Sequence, residues 1–321
     1  MDKAMEKIKA KYGDIPLTYW KAFGEKVCDL RIQAKWPIPE TVAVTAAPIG
    51  AFIDKEQNPH QPFSAEETLK EAMDCVEAGA VGIHIHVRDA KTGLNVGDLS
   101  TYHAVIDPIK EKYGDKVVID GCCVFGETFE ELMGPVTDGL FELAPVNPVA
   151  GFVGDTMRYV PPKLMQASAE YFQEKGVKVK MAVHDTGSIS NAKRWLIDPG
   201  IVQKPYLFAI LPALPGLLFM ENPRGMIESM MTVVNRLKEI DEDCIIQVDN
   251  AGRASIYVVT WALLMGFNVR VGMEDTIWKY PHKDDLLSNN AESVRSIVQI
   301  ANLLGRRVAT ADEYRRSIGL K

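Results

Sequence analysis

Two histidines separated by one residue, His84 and His86, lie in the apolar segment GIHIHVRD. Side chains alternate along a β-strand, so a strand here places both imidazoles on one face, about 7 Å apart along the chain. Two imidazoles that converge at this spacing can bind one metal ion. The alternative is a pair of hydrogen-bonded core histidines, but two buried histidines without another role would be costly. We therefore predict a metal site at this segment.

A third ligand is available in the segment NVRVGMED near the C-terminus. In a strand, Arg270, Gly272 and Glu274 share one face, and catalytic zinc sites use three protein ligands with an open position for substrate or water. We predict His84, His86 and Glu274 as the ligands. This set suits zinc, although manganese and iron accept the same ligand types. Arg270 either contacts a substrate carboxylate or forms a structural ion pair with Glu274.

The elements that must position these residues alternate from about residue 40, where short apolar runs are followed by longer amphipathic stretches. Runs rich in Val, Ile and Leu indicate buried parallel strands, and the stretches between them indicate helices. Eight such units in one series predict a (β/α)8 TIM barrel, and the GxGxxG turn of a doubly wound sheet is absent after the first strand. The predicted strands are 42–48, 81–89, 116–124, 139–147, 177–187, 205–214, 243–252 and 267–275.

The chemistry is expected at one end of this barrel, because active sites in this fold lie at the C-terminal ends of the strands. Polar residues are dense at those ends. The first, second and eighth strands become neighbours when the barrel closes, which brings Glu274 towards the two histidines. Two polar pairs either line the pocket or hold the segment that follows them: Asp249 with Asn250, and His184 with Asp185.

About 40 residues precede the first predicted strand. We assign residues 1–40 to an N-terminal helical extension and residues 41–321 to the barrel domain. Aromatic and aliphatic positions in YWKAFGEKVCDLRIQAKW (19–36) are spaced to form one helical face. We interpret this face as a cap over the bottom of the barrel or as a contact with a neighbouring subunit, and not as part of the active site.

The composition excludes several classes of function. The 321-residue chain has a formal net charge of −7 and no basic run, which argues against nucleic-acid binding. It opens without a signal sequence and contains no stretch of about 18 apolar residues, so we expect no membrane span. Five cysteines without a CxxC pair favour a cytoplasmic setting over a disulfide framework. We expect Cys122 and Cys123 to be chemically inert.

Three segments together resemble the β-keto acid cleavage enzymes: TAAPIGA (45–51), GIHIHVRD (82–89) and VRVGMED (269–275). The resemblance runs from about residue 42 to the C-terminus, and the combination of HxHxRD with RVGxED is specific. It implies a (β/α)8 barrel with one zinc ion held by the two histidines and Glu274. It also implies that a β-keto acid and acetyl-CoA are converted into acetoacetate and a new acyl-CoA, and that Arg270 and Asp275 help to deprotonate the substrate and hold its carboxylate. We expect a homo-oligomer, with a tetramer favoured.

The substrate-binding positions depart from the family member that cleaves 3-keto-5-aminohexanoate in lysine fermentation. Phe52 stands where that enzyme has a Glu that receives the substrate ammonium. Asp-Gly-Cys-Cys (120–123) replaces a Ser–Gly–Gly-like segment, and APVN (144–147) has Pro where Thr is frequent. We predict a neutral or apolar keto acid as substrate. The predicted substrate-binding residues are Phe52, Gly121, Cys122 and Asn147.

Two other functions fit parts of the pattern. A zinc-dependent hydrolase would place water at the open metal position, and amidohydrolase barrels also carry HxH. They carry it on the first strand and add further His and Asp ligands, whereas here it lies on the second predicted strand of a chain with six histidines. The non-enzyme alternative is a metal-stabilised scaffold or small-molecule sensor, and the charge-rich end of the barrel argues against it.

Overall fold

The computed structural model describes residues 2–15, 29–212 and 217–320, with the backbone alone for Val153. Two compact units are present, Met1–Pro37 and Ile38–Lys321. The smaller unit contains helix α1 (Lys3–Tyr12), none of whose residues is buried, and a 3-10 turn at Leu30–Ile32. The helical face predicted within residues 19–36 falls largely on residues 16–28, which lie outside the described part of the chain.

The larger unit contains a closed barrel of eight parallel strands, in which each strand is hydrogen-bonded to the strands on either side of it. Each barrel strand falls inside one of the eight predicted segments, so the predicted (β/α)8 fold is confirmed. The strands of the described chain are β1 (Thr41–Val42), β2 (Val44–Ala46), β3 (Gly82–Ile85), β4 (Val118–Gly121), β5 (Leu143–Val146), β6 (Ala150–Val153), β7 (Thr156–Tyr159), β8 (Lys178–Val183), β9 (Leu207–Ile210), β10 (Ile245–Asp249), β11 (Asn268–Val271) and β12 (Arg307–Val308). The order of strands around the barrel is β10-β11-β2-β3-β4-β5-β8-β9.

The barrel closes where β11 pairs with β2, with Arg270 opposite Thr45. On the other side of β2, Thr45 lies opposite Gly82 of β3. The last barrel strand is therefore separated from the strand of the histidines by β2 alone. This arrangement confirms the predicted neighbourhood of the first, second and eighth barrel strands, and it is what brings the two ends of the sequence to one place.

Helices surround the barrel and bury its outward-facing strand residues, among them Ile83 and Ile85. Side-chain caps define where they begin; Ser64 and Glu67 form a reciprocal capping box at the start of the helix Ala65–Glu77. No helix in the described ranges is long and apolar enough to cross a membrane. After α1, the helices are α2 (Ala65–Glu77), α3 (Leu99–Tyr113), α4 (Phe129–Thr137), α5 (Pro162–Glu174), α6 (Thr186–Ala192), α7 (Pro223–Ile240), α8 (Ser255–Leu264), α9 (Asn290–Leu303) and α10 (Ala311–Ile318).

The C-terminal helix α10 fills the end of the barrel where the strands begin. Tyr314 and Ile318 of this helix form an apolar cluster with lumen residues that include Val81, Val118 and Leu143. Burial of these side chains stabilises the closed barrel and fills this end of the lumen with apolar groups. The polar lumen residues therefore lie at the opposite end, where the strands finish. No pattern in the sequence predicts this role for the C-terminal segment.

Candidate functional site

His84 lies on β3, and His86 follows the last residue of that strand. Both side chains are buried, and their ring centroids are 5.1 Å apart. Ile83 and Ile85 belong to the outer apolar core, so the strand alternation places both imidazoles on the lumen side. The structure thus brings the two histidines together as their spacing predicts.

The carboxylate of Glu274 lies between the two imidazoles. Its Oε2 atom is 3.5 Å from His84 Nε2, and its Oε1 atom is 3.5 Å from His86 Nε2. Burial alone would raise the pKa of Glu274, but the positive charges of Arg270 and of the histidines outweigh burial and hold this pKa well below its ordinary value. An ionised carboxylate and two imidazoles therefore converge on one point.

Two glycines make the position of Glu274 possible. Gly272 has a φ of +148°, and a Cβ atom there would lie 2.1 Å from the carbonyl oxygen of Ala47, so only glycine fits this turn after β11. A Cβ atom at Gly50 would lie 2.1 Å from Glu274 Cγ. The loop that carries Gly50 is itself held by Arg88, whose Nε donates a hydrogen bond to Gly50 O at 2.7 Å. Arg88 is therefore a loop anchor.

Cys122 follows β4 and is buried beside the histidines. One possible ligand atom from each of His84, His86 and Cys122 lies within 4.8 Å of the others. Burial alone would raise the pKa of the Cys122 thiol, but the charges and hydrogen bonds of His86 and His84 together outweigh burial and lower this pKa to about 6. The sequence predicts an inert Cys122 in the substrate pocket, whereas the structure places its sulfur beside two of the predicted metal ligands. Cys123 instead packs against the outer core.

Arg270 connects three carboxylates at the end of the barrel. Its Nε atom is 3.0 Å from Asp249 Oδ2, and its Nη2 atom is 3.1 Å from Glu274 Oε1 and 2.6 Å from Asp275 Oδ2. Burial is the largest cause that raises the pKa of Asp275, to about 7, despite the opposing charge of Arg270. Arg270 thus forms the ion pair with Glu274 that the sequence offers as one alternative. Its side chain also lines the cavity.

Lys180 and Asp120 form a buried ion pair that sequence reasoning missed. Lys180 Nζ donates a hydrogen bond to Asp120 Oδ2, and the same oxygen lies 3.0 Å from His84 Nδ1. A carboxylate on the far nitrogen of a metal-binding imidazole fixes the orientation of the ring. The segment KVKMAVH contains a signal for this pair: Lys180 and His184 fall on the same face of the predicted strand, and the three residues between them are apolar.

A cavity opens above these groups. Phe52 and Asn147, two of the predicted substrate-binding residues, line its wall with Cys122. Phe52 is 42% exposed. Arg158, on the antiparallel hairpin of β6 and β7, also lines the cavity. No sequence signal singled out this arginine, because the hairpin lies outside the eight predicted strand units.

Gly121 does not reach the cavity, contrary to its predicted role. The strand alternation turns Asp120 and Cys122 inward, so Gly121 faces outward. A Cβ atom at this position would lie 2.2 Å from the ring of Phe141. Gly121 therefore leaves space for the aromatic ring of Phe141 on the outer face of the strand. This packing role replaces the substrate contact that the sequence predicts.

The two polar pairs that the sequence left open are resolved differently. Asp185 caps α6 through a hydrogen bond from the Ser188 amide, whereas His184 lines the cavity. Burial lowers the pKa of His184 to about 4, and the charge of Arg158 adds to this effect, so its imidazole is neutral at pH 7. In the described chain, neither ring nitrogen of His184 has a hydrogen-bond partner. Asp249 faces the cavity and pairs with Arg270.

The charges at the barrel end are compatible with a bound cation. Four carboxylates and two cationic side chains surround the two imidazoles, and the charges balance either when both imidazoles are protonated or when neutral imidazoles bind a divalent cation. The described residues offer no hydrogen bond to the buried atoms His86 Nδ1 and Glu274 Oε2. Two imidazoles and a carboxylate fit a divalent ion such as zinc. The six charged groups are Asp120, Asp249, Glu274, Asp275, Lys180 and Arg270.

The sequence of the chain matches known proteins over nearly the whole barrel. A profile of the beta-keto acid cleavage enzyme family matches residues 41–320. The 3-keto-5-aminohexanoate cleavage enzyme of Fusobacterium nucleatum subsp. nucleatum is 32% identical over 285 residues, which are 88% of this chain and 99% of that enzyme. The 3-dehydrocarnitine:acetyl-CoA trimethylamine transferase of Rhizobium meliloti is 25% identical over 301 residues, 87% of this chain and 96% of that enzyme.

A solved structure is similar at the level of the fold. The apo structure of ObcA superposes with a TM-score of 0.69 at 19% sequence identity, over 82% of this chain and 66% of that chain. At this identity the likeness supports the barrel architecture alone.

Proposed function

Because the chain belongs to the beta-keto acid cleavage enzyme family, we propose that it condenses a β-keto acid with acetyl-CoA and releases acetoacetate and a new acyl-CoA. The convergence of His84, His86 and Glu274 at the end of the barrel carries the proposal. The choice of acetyl-CoA as co-substrate is supported by the relative from Rhizobium meliloti, whose name includes it.

In this proposal His84, His86 and Glu274 hold a zinc ion. Such an ion, when bound, polarises the keto and carboxylate oxygens of a β-keto acid and stabilises negative charge that develops on them. Asp120 orients His84 from the far side of the ring, and Lys180 holds Asp120 in place. The ligands therefore occupy fixed positions before substrate arrives, which is what catalysis by a preorganised site requires.

Asp275 is the proposed base. It takes a proton from C2 of the keto acid, and the carbanion attacks the acetyl carbonyl carbon of acetyl-CoA. A C–C bond forms, and CoA leaves as its thiolate. This thiolate then attacks C3 of the condensed acid, the bond between C2 and C3 breaks, and C2 recovers a proton from Asp275. The products are acetoacetate and the CoA thioester of the shortened acid.

Arg270 has two proposed tasks. It orients Asp275 through the 2.6 Å contact between Nη2 and Oδ2, and it presents positive charge to the cavity that it lines, where a substrate carboxylate can bind. Asp249 Oδ2 lies 3.0 Å from Nε on the other edge of the guanidinium group. This contact restrains the orientation of the guanidinium group towards Asp275 and the cavity.

The cavity wall favours a neutral or apolar substituent on the keto acid. Phe52 supplies an apolar surface at the mouth, and Leu211 and Leu217 add to it. Arg158 lines the same cavity and repels a cationic substituent such as an ammonium group. We propose that Phe52 and Asn147 contact the variable part of the substrate, and that 3-keto-5-aminohexanoate is a poor substrate.

The chain is also proposed to form a homo-oligomer, with a tetramer as the favoured state. Large apolar side chains are exposed at the ends of two outer helices, with Leu264 52% exposed and Leu303 87% exposed. Burial of such groups against another subunit would remove apolar surface from water. Light scattering of the purified protein measures the subunit number.

Metal analysis combined with a product assay tests the proposed function. The wild-type protein should contain one zinc ion per chain and should form acyl-CoA from acetyl-CoA and a panel of β-keto acids. His84→Ala, His86→Ala and Glu274→Ala should each lose most of the zinc and the activity. His103→Ala is the matched control, because His103 is an exposed histidine paired with Asp107. A full zinc equivalent in the double histidine variant would reject the site.

A further inference from the structure

Cys122 differs from the other described cysteines in its surroundings. Cys75 and Cys244 belong to the outer apolar core, and Cys123 packs against it. Cys122 instead faces the lumen and lines the cavity. Its neighbours on the adjoining strand are the histidines, since β3 and β4 pair in register with His84 opposite Asp120 and Ile85 opposite Gly121. An apolar-core role therefore does not account for its position.

The sulfur of Cys122 is close enough to share an ion with the histidines. One possible ligand atom from each of His84, His86 and Cys122 lies within 4.8 Å of the others. Atoms bound to one zinc ion at about 2.0–2.3 Å lie at most about 4.6 Å apart, so small side-chain movements are enough to bring these three atoms onto one ion. The His86 side chain is 5% exposed and its Nδ1 atom has no hydrogen-bond partner in the described ranges. The cluster is thus a buried group of three potential metal ligands.

We propose that Cys122 is a fourth ligand of the metal ion held by His84, His86 and Glu274. This inference rests on the metal centre of the proposed function and adds a residue to it. The thiol loses its proton to solvent when the metal–sulfur bond forms, so the ligand is the thiolate. The resulting set contains two imidazoles, one carboxylate and one thiolate, all from this chain.

A thiolate ligand changes which metal the site prefers. Thiolates favour zinc and other soft or borderline ions, whereas carboxylate and water ligands suit magnesium and manganese. The site should therefore select zinc over manganese more strongly than two imidazoles and a carboxylate would. Four protein donors also complete a tetrahedral shell, so a substrate oxygen must either add as a fifth ligand or replace one of the four.

X-ray absorption spectroscopy of the zinc-loaded protein tests this inference directly. The wild-type spectrum should contain one zinc–sulfur distance of about 2.3 Å beside nitrogen and oxygen distances of about 2.0–2.2 Å. Cys122→Ser should lose the sulfur distance. Cys123→Ser is the matched control, because it removes the adjacent thiol on the opposite face, and its spectrum should equal that of the wild type. In cobalt-loaded protein, the thiolate-to-cobalt charge-transfer band should follow the same pattern.

The outcomes separate this inference from the proposed function. A zinc-loaded wild-type protein with nitrogen and oxygen ligands only would overturn the role of Cys122 and leave the other three ligands intact. A wild-type protein that binds no zinc would overturn both. The wild-type spectrum gives the answer even if Cys122→Ser does not fold. A manganese-for-zinc competition that Cys122→Ser leaves unchanged would also count against the thiolate.

Discussion

Arg270 Nη2 lies 2.6 Å from Asp275 Oδ2 and 3.1 Å from Glu274 Oε1. One guanidinium nitrogen therefore contacts both the proposed base and a proposed metal ligand. All three side chains are buried, so these contacts operate with little screening by water. Substitution of Arg270 can therefore distinguish a structural role from a catalytic role.

Arg270→Ala should retain zinc and lose turnover. Loss of one buried charge contact to the transition state should cost about 2–4 kcal/mol, roughly 10²–10³-fold in kcat/KM. Asp275→Asn should behave similarly, because it removes the base that Arg270 orients. A double variant no slower than either single variant would show that the two residues act as one unit. Steady-state kinetics with zinc analysis of each protein measures both effects.

Arg270→Lys is the control for charge. Lysine keeps the positive charge but lacks the planar fork that contacts Asp249 and Asp275 together, so rescue should be poor. Near wild-type turnover of Arg270→Ala and Asp275→Asn, with zinc retained, would reject their catalytic assignment. Loss of zinc or of folding stability before any effect on chemistry would instead assign Arg270 a purely structural role.

Gly50→Ala should weaken the metal site without removing any ligand. The new Cβ atom would lie 2.1 Å from Glu274 Cγ, so the carboxylate must move away from the histidines. Overpacking of this kind costs about 1–3 kcal/mol. A chelator competition should show lower zinc affinity. Gly134→Ala is the matched control, since its Cβ atom would meet Leu99 at an ordinary 3.9 Å; equal zinc affinity in both variants would contradict the predicted clash.

Phe52→Glu should shift substrate preference towards a cationic keto acid. A carboxylate at this half-exposed position would pair with the ammonium group of 3-keto-5-aminohexanoate, and an exposed ion pair of about 0.2–1 kcal/mol corresponds to at most about fivefold in relative kcat/KM. Phe52→Leu keeps the wall apolar and should leave the preference unchanged. If the wild-type protein already prefers the amino substrate over neutral keto acids, Phe52 does not set specificity.

The sequence was sufficient to predict the fold and the convergence of the two histidines. Strand alternation is a local property, so GIHIHVRD alone places His84 and His86 on one face. The eight strand-and-helix units then require closure of the barrel, which brings β11 beside β2. Glu274 approaches the histidines for this reason, even though about 190 residues of chain separate them.

Other site features depend on contacts that local patterns do not encode. Lys180 pairs with Asp120 from 60 residues away, and the sequence shows only a lysine alternating with apolar residues. The side that Gly121 faces depends on the exact register of its strand, since an offset of one residue moves a position to the other face. Arg158 enters the cavity from a hairpin inserted after β5, outside the repeating units that revealed the barrel.

The fate of the acetyl group tests the central claim most directly. The protein is incubated with a neutral β-keto acid and acetyl-CoA that carries ¹³C in both acetyl carbons, and the products are separated by mass spectrometry. The account predicts that both labelled carbons appear in acetoacetate, as its methyl and keto carbons, while the new acyl-CoA is unlabelled. Labelled acetate with free CoA, or acetoacetate without label, would contradict condensation between the two substrates.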